Sequence, residues 1–287
     1  MHQFYVQTLN GLTLAGIMFL VSSGFTLVFG VMRVTNLAHG AIYLLGGYIA
    51  YSAIQTLDNF FFGLLAAALA TAALGLLLER TLIKRMRGQV MAELLATLGL
   101  VYVIDDLALA IWGGNPLSLR LPGFLQDSST LPGQIVYPNG RIFIFVVATA
   151  IGLGLFFLLR RTRIGAIVRA GVDNRAMVGA MGINVRLVFT AVFALGAMLA
   201  GVGGALGGTV LGLAPGGDAE ILTFALIVVI VGGLGSFEGA VLGSLIVGLL
   251  SNYGQAYFPA LAYFALFAPL VVVLLVRPQG LLGRAAA

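Results

Sequence analysis

Few residues of this 287-residue chain have the chemistry that catalysis or metal binding requires. Cysteine is absent, which excludes disulfides and thiolate metal sites, and the two histidines form no cluster with Asp or Glu. No pairing of a nucleophile with a base is evident, and the phosphate-binding pattern G-x-x-x-x-G-K-[ST] does not occur. We therefore expect no catalytic site, no metal site and no cofactor bound by this chain.

The basic residues are unevenly placed. Six of the fifteen Lys and Arg residues lie in residues 160–186, RRTRIGAIVRAGVDNRAMVGAMGINVR. Within it, RIGAIVRAG predicts a short helix whose apolar side comprises Ile164, Ile167 and Val168. The same helix carries Arg163, Gly165 and Arg169.

A second short helix is expected directly after the first. Asp173 is a suitable N-cap for NRAMVGAMG, in which Met177, Val178 and Met181 are the apolar positions. Gly182 suits the left-handed position that ends many helices.

Two interpretations of this helix pair remain open from the residues alone. Exposed Met and Ile side chains suit a surface that packs against a protein partner, because methionine adapts its shape. Alternatively, the pair lies on anionic membrane lipid, where flanking arginines are common.

Two junctions between apolar runs carry polar and small residues. RVTNLAHG places Asn36, His39 and Gly40 where the first two runs meet, and GSFEG places Ser236, Glu238 and Gly239 in a later break. We expect both junctions at the cytoplasmic ends of their helices, near a gate of a translocation pathway.

Each junction also has a simpler interpretation. Asn36 and His39 could cap or pack a helix start, and Glu238 could be an interfacial carboxylate, a capping group or the partner of a cytoplasmic arginine. Asp105 and Asp106 are adjacent in the fourth apolar run, so they face different sides of a helix and at least one should reach a polar cavity or the interface.

The elements that must position these residues are membrane helices. The chain is 60% hydrophobic and 9% charged, with a mean hydropathy of +1.08, which leaves too few charges for the polar shell of a soluble domain. Only helices satisfy their own backbone in lipid without closing a barrel, so we predict an all-α, polytopic membrane protein forming one domain over 1–287. We count eight to nine spanning or half-spanning segments, near 11–32, 38–57, 61–82, 92–112, 142–159, 187–211, 221–235, 240–256 and 260–276.

The basic residues also predict orientation. They cluster between the apolar runs, which indicates topology and not nucleic-acid binding. The N-terminus is then external, the C-terminus is cytoplasmic, and the first run is retained as a span. The residues expected inside are Arg33, Arg80, Lys84, Arg85, Arg87, the arginines of 160–186, Arg277 and Arg284; those expected outside are Arg120, Arg141, Asp58, Asp127, Asp218 and Glu220.

The longest external segment, 113–140, holds four of the eight prolines and should be extended or turn-rich. It either caps the bundle as a connector or forms a docking surface for an external partner.

Three segments in order resemble one family. They are GFTLVFGVMRVTNLAHGAIYLLGGY at 24–48, RTRIGAIVRAGVDNRAMVGAMGIN at 161–184 and VGGLGSFEGAVLGSLIVGLL at 231–250. Together they resemble the permease subunit of the bacterial high-affinity branched-chain amino-acid ABC transporter, the LivH-like family, over essentially the whole chain.

This resemblance implies a permease of the bacterial inner membrane that takes up branched-chain or related small hydrophobic amino acids. It implies that 160–186 is a coupling loop docked on separate ATPase subunits, which use the ATP, and that a second, related permease subunit and a periplasmic binding protein complete the transporter. Urea or short amides remain alternative substrates, and an ion-coupled secondary carrier is the alternative of another class.

Overall fold

A computed structural model describes residues 2–173 and 175–283, without the side chains of 131, 172, 173, 175 and 176. Arg284, expected near the cytoplasmic surface with Arg277, falls outside the described residues. The elements are α1 (His2–Met32), α2 (His39–Leu57), α3 (Phe60–Leu78), α4 (Lys84–Met86), α5 (Val90–Trp112), α6 (Gly123–Gln126), β1 (Ser128–Leu131), β2 (Ile135–Pro138), α7 (Asn139–Arg161), α8 (Arg163–Asp173), α9 (Arg175–Ala180), α10 (Val185–Gly207), α11 (Gly217–Gly232), α12 (Phe237–Tyr257) and α13 (Ala262–Val276).

The all-α membrane architecture is confirmed. Each of the nine predicted apolar segments corresponds to one long helix, from α1 to α13. Across the described residues, six helices are long and apolar enough to cross a membrane singly, and the count reaches seven if α11 and α12, which meet at 118°, form one broken span. The expected count of eight to nine segments is therefore approximate. Helices α2, α11 and α12 are each too polar or too short to qualify alone as a membrane span.

Helix α1 is the centre of the bundle. It packs against α7, α10, α11 and α12, and α10 in turn packs against α2 and α3. The central contacts use small residues, as expected from the glycine-rich composition: a Cβ atom on Gly204 of α10 would overlap the carbonyl oxygen of Tyr43 on α2. Such contact between backbones leaves little room for substitution.

The peripheral helices α5, α7 and α13 turn most of their apolar side chains outward. In water, exposing such a surface would cost a free energy of roughly 25 cal/mol for each Å² of apolar area. In a bilayer it is the ordinary lipid-facing surface, so the burial pattern agrees with a membrane protein.

The long segment between α5 and α7 packs on the bundle. Its β1–β2 hairpin is antiparallel, and the backbones of Leu117 and Leu213 form a bridge that joins the segment to the α10–α11 loop. Leu119 is buried nearby, and its amide donates to the Gly208 carbonyl oxygen at 3.2 Å. These contacts agree with a connector that caps the bundle.

Candidate coupling and translocation sites

The candidate coupling loop, residues 160–186, contains the two expected short helices, and α8 folds back directly from α7. Thr162 interrupts the helix, and its hydroxyl oxygen accepts a hydrogen bond from the Gly165 amide at 3.1 Å. A Cβ on Gly165 would overlap the carbonyl oxygens of Leu158 and Leu159. Gly165 therefore allows this fold-back, whereas Arg163 and Arg169 are exposed on α8.

Some apolar residues of α8 and α9 are buried and others are exposed. Val168 and Val178 are buried, so they fix the pair to the bundle. Ile164, Met177 and Met181 are exposed, the methionines at 61% and 70%. The three apolar positions of α8 share one side of the helix, as expected, but the bundle covers that side only in part: Val168 joins the core whereas Ile164 is exposed.

The link from α9 to α10 is tightly defined. Gly182 has φ +78°, as predicted for the left-handed C-cap, and its amide donates to the Gly179 carbonyl oxygen at 3.0 Å. The Ile183 amide reaches the Val178 carbonyl oxygen at 3.4 Å, which completes a Schellman motif. The Asn184 side chain then caps α10. Displacement of α9 would therefore reach α10 through a short, hydrogen-bonded turn.

Asp173 does not occupy the expected N-cap position. It is the last residue of α8, and α9 begins two residues later at Arg175. The adjoining residue 174 lies outside the described part of the chain, as does the side chain of Asp173.

The first junction lies inside the bundle, not at the end of α1 as expected. His39 is 1% exposed, and its Nε2 lies 2.9 Å from the carbonyl oxygen of Val21. Val21 precedes Met32, the last residue of α1, by eleven residues (32 − 21), or about 16 Å at 1.5 Å per residue. The chain reverses at Arg33, whose φ is +54°, and returns along α1 before α2 begins.

Buried hydrogen bonds stabilise this returning segment. The Asn36 side-chain oxygen accepts from the Ala38 amide at 3.1 Å, and the Leu37 amide donates to Thr97 Oγ1 of α5 at 3.3 Å. Asn36 thus supports the chain just before α2 through a local turn, but the N-cap of α2 is Ala38 and not Asn36.

Helix α11 begins at the same place. A Cβ on Gly40 would overlap the backbone carbonyl oxygen of Asp218, so the first turns of α2 and α11 touch. Asp218 was expected on the external surface, but its side chain is buried. Helix N-termini carry partial positive charge, and two of them meet here inside the bundle.

Polar groups extend from this meeting point along α2 and α5. Asp105 of α5 lies within electrostatic range of Asp218, and Tyr48 within range of Asp105. The hydroxyl of Tyr48 and Oδ1 of Asp105 are buried without a hydrogen-bond partner among the described residues. The Tyr48 ring stacks on Trp112 at 5.0 Å. The sequence indicated Asp105, because it is a carboxylate within an apolar run, but no sequence pattern indicated Tyr48.

The second junction is the turn between α11 and α12. Ser236 caps α12, with its hydroxyl oxygen accepting from the Gly239 amide at 3.0 Å, and Gly239 packs on the backbone of Gly232. Glu238 forms an ion pair with Arg160 of α7 at 2.5 Å, which confirms one of its three interpretations.

The structure does not bring the two junctions together. The second turn contacts α1 at Gly30, where a Cβ would lie 3.0 Å from the Gly235 Cα, whereas His39 contacts Val21. The nine residues between these contacts (30 − 21) correspond to about 14 Å along α1. The sequence supplied no sign of this separation.

Comparison with known proteins agrees with this architecture. The chain is 31% identical to the high-affinity branched-chain amino acid transport system permease protein BraD of Pseudomonas aeruginosa, over 99% of this chain and 97% of the relative. It is 29% identical to the corresponding permease protein LivH of Escherichia coli K12, over 98% and 96%, and 26% identical to the ribose import permease protein RbsC of the same organism, over 84% and 75%. No solved structure matches it significantly.

The family model described as branched-chain amino acid transport system / permease component matches residues 7–276, which includes every long helix from α1 to α13. The match covers both junctions and the whole of α8 and α9. This multi-pass membrane chain therefore belongs to the family of permease components of the branched-chain amino acid transport system.

Proposed function

We propose that this chain is a permease subunit of an ATP-driven importer for branched-chain amino acids in a bacterial inner membrane. The observation that carries the proposal is the exposed apolar surface of α8 and α9, formed by Ile164, Met177 and Met181 outside the bundle. The chain has no G-x-x-x-x-G-K-[ST] sequence, so a separate ATPase subunit has to supply the energy. The full-length similarity to BraD and LivH supports this assignment and the choice of substrate.

The coupling loop faces the cytoplasm in this proposal. The α8–α9 surface docks on the ATPase, and the exposed Arg163 and Arg169 orient the contact. The N-terminus and the 113–140 segment are external, where a periplasmic binding protein delivers substrate. A second, related permease subunit completes the pathway.

The pathway follows the place where α2 and α11 begin. An amino acid carries a carboxylate, which the two helix N-termini favour, and an ammonium group, which Asp105 and Asp218 favour. Described ion pairs occupy neither aspartate, and the partnerless Tyr48 hydroxyl offers a further hydrogen bond. Gly40 lies where the first turns of α2 and α11 touch, and the Ser236–Glu238–Gly239 turn lies farther towards the cytoplasm.

Uptake in proteoliposomes tests the proposal. The chain is reconstituted with its partner permease and ATPase subunits, and radiolabelled leucine uptake from added binding protein is measured with and without ATP. We expect uptake to require ATP and to be unaffected by collapse of the proton and sodium gradients. Gradient-driven uptake without ATP would instead identify a secondary carrier, and preference for urea or amides would reject the proposed substrate.

A further inference from the structure

An unusual segment directly follows helix α3. Residues Glu79–Ile83 form a π-helical turn before α4, and Glu79 is 2% exposed. Such turns are rare and frequently occur at functional sites, since one extra residue per turn strains the helix. The Glu79 carboxylate belongs to neither the proposed pathway nor the proposed docking surface.

The Glu79 carboxylate joins three separate parts of the chain. Its Oε1 lies 2.5 Å from Nη2 of Arg87, in the loop between α4 and α5. Its Oε2 accepts a hydrogen bond from the Thr190 hydroxyl on α10 at 2.6 Å. The Arg87 guanidinium also lies 4.6 Å from the centroid of the Phe189 ring, so α10 holds both members of the ion pair.

Thr190 is close in sequence to the coupling helices. It lies five residues into α10, and the capped turn of Gly182, Ile183 and Asn184 connects α10 to α9. Farther along the same α3–α10 contact, the close pairs are uncharged: Gly75 with Ala197, and Thr71 with Gly201. The charged network therefore joins the segment after α3 to the part of α10 that lies nearest α9.

We propose that Glu79 is a positioning residue that transmits movement of α8 and α9 to α3 and the start of α5. A buried charge that loses its partners is strongly unfavourable, so α10, the π-turn and the Arg87 loop are held as one unit. Helix α5 in turn supports the central junction through Thr97. This inference rests on the proposed function, because it needs an ATPase that acts on α8 and α9.

Two substitutions remove the network, and the chain offers a matched control for the threonine. Glu79→Gln removes the charge and Thr190→Val removes the hydroxyl. Thr71→Val alters another buried threonine, whose described hydrogen bonds go to its own helix.

The measurement is leucine transported per ATP hydrolysed by the reconstituted transporter, with recovery of the ATPase subunits recorded for each variant. We expect Glu79→Gln and Thr190→Val to lower this ratio about tenfold, a change of about 1.4 kcal/mol, while the ATPase subunits remain bound. The Thr71→Val control should stay near the unaltered ratio. In the double variant the loss should be no larger than in the more affected single variant, because both changes break one linkage.

The outcomes separate this inference from the proposed function. An unchanged ratio in Thr190→Val overturns the inference, even if Glu79→Gln fails to assemble. An equal loss in Thr71→Val also overturns it, since any buried polar group would then have the same effect. If the unaltered transporter shows no ATP-driven uptake, the proposed function fails and the inference fails with it.

Discussion

Replacing both Met177 and Met181 by Asp should abolish most of the docking on the ATPase. The two side chains are 61% and 70% exposed in the free chain, so about two-thirds of their surface is available for burial. Complete burial of one Met side chain contributes about 1.5–3 kcal/mol, so two-thirds of two side chains corresponds to about 2–4 kcal/mol. A loss of about 3 kcal/mol weakens binding roughly a hundredfold, before the cost of placing carboxylates in an apolar contact.

The assay is recovery of the ATPase subunits on the affinity-tagged permease, together with a titration that gives Kd. The double variant should insert and fold normally, because the altered side chains contribute little to the core. Met91→Asp is the matched control, since Met91 is 68% exposed in the first turn of α5, outside residues 160–186. Arg169→Glu should weaken docking less, and the effect should diminish in salt.

Undiminished recovery of the ATPase with the double Met variant would refute the docking assignment. If the helix pair instead lies on lipid, recovery of the ATPase should be unchanged, and the dependence of activity on anionic lipid should be altered. An equal loss in Met91→Asp would show a general effect of added charge and would also count against the assignment.

Three further predictions concern topology, packing and the pathway. A cysteine in place of Asp173 should react with a membrane-impermeant reagent only from the cytoplasmic side, and one in place of Ser128 only from outside; labelling from a common side would reject the orientation. Gly204→Ala should destabilise the protein by about 2 kcal/mol through overlap with a neighbouring backbone, whereas Gly99→Ala, which meets nothing within 4 Å, should be neutral or stabilising in thermal unfolding. Asp105→Asn should raise the KM for leucine about tenfold by removing a charge-assisted hydrogen bond, and an unchanged KM would place the ammonium group elsewhere.

The coupling loop illustrates what a local pattern can predict. Gly182 and the existence of both short helices followed from apolar spacing and from the conformational freedom of glycine, which act over a few residues. The division between Val168, which is buried, and Ile164, which is exposed, depended on where α7 and α1 lie, and no spacing within the loop contains that information.

The sequence by itself determined the class of the protein, the order and approximate ends of its nine long helices, and the absence of a nucleotide-binding loop. These follow from hydropathy summed along the chain, because each helix satisfies its own backbone in lipid. Only the tertiary structure decided that the chain turns back at Arg33, that α2 and α11 begin side by side, and that Glu79 meets Thr190 across 111 residues. Those features depend on contacts between distant segments, which the hydropathy of each segment by itself does not contain.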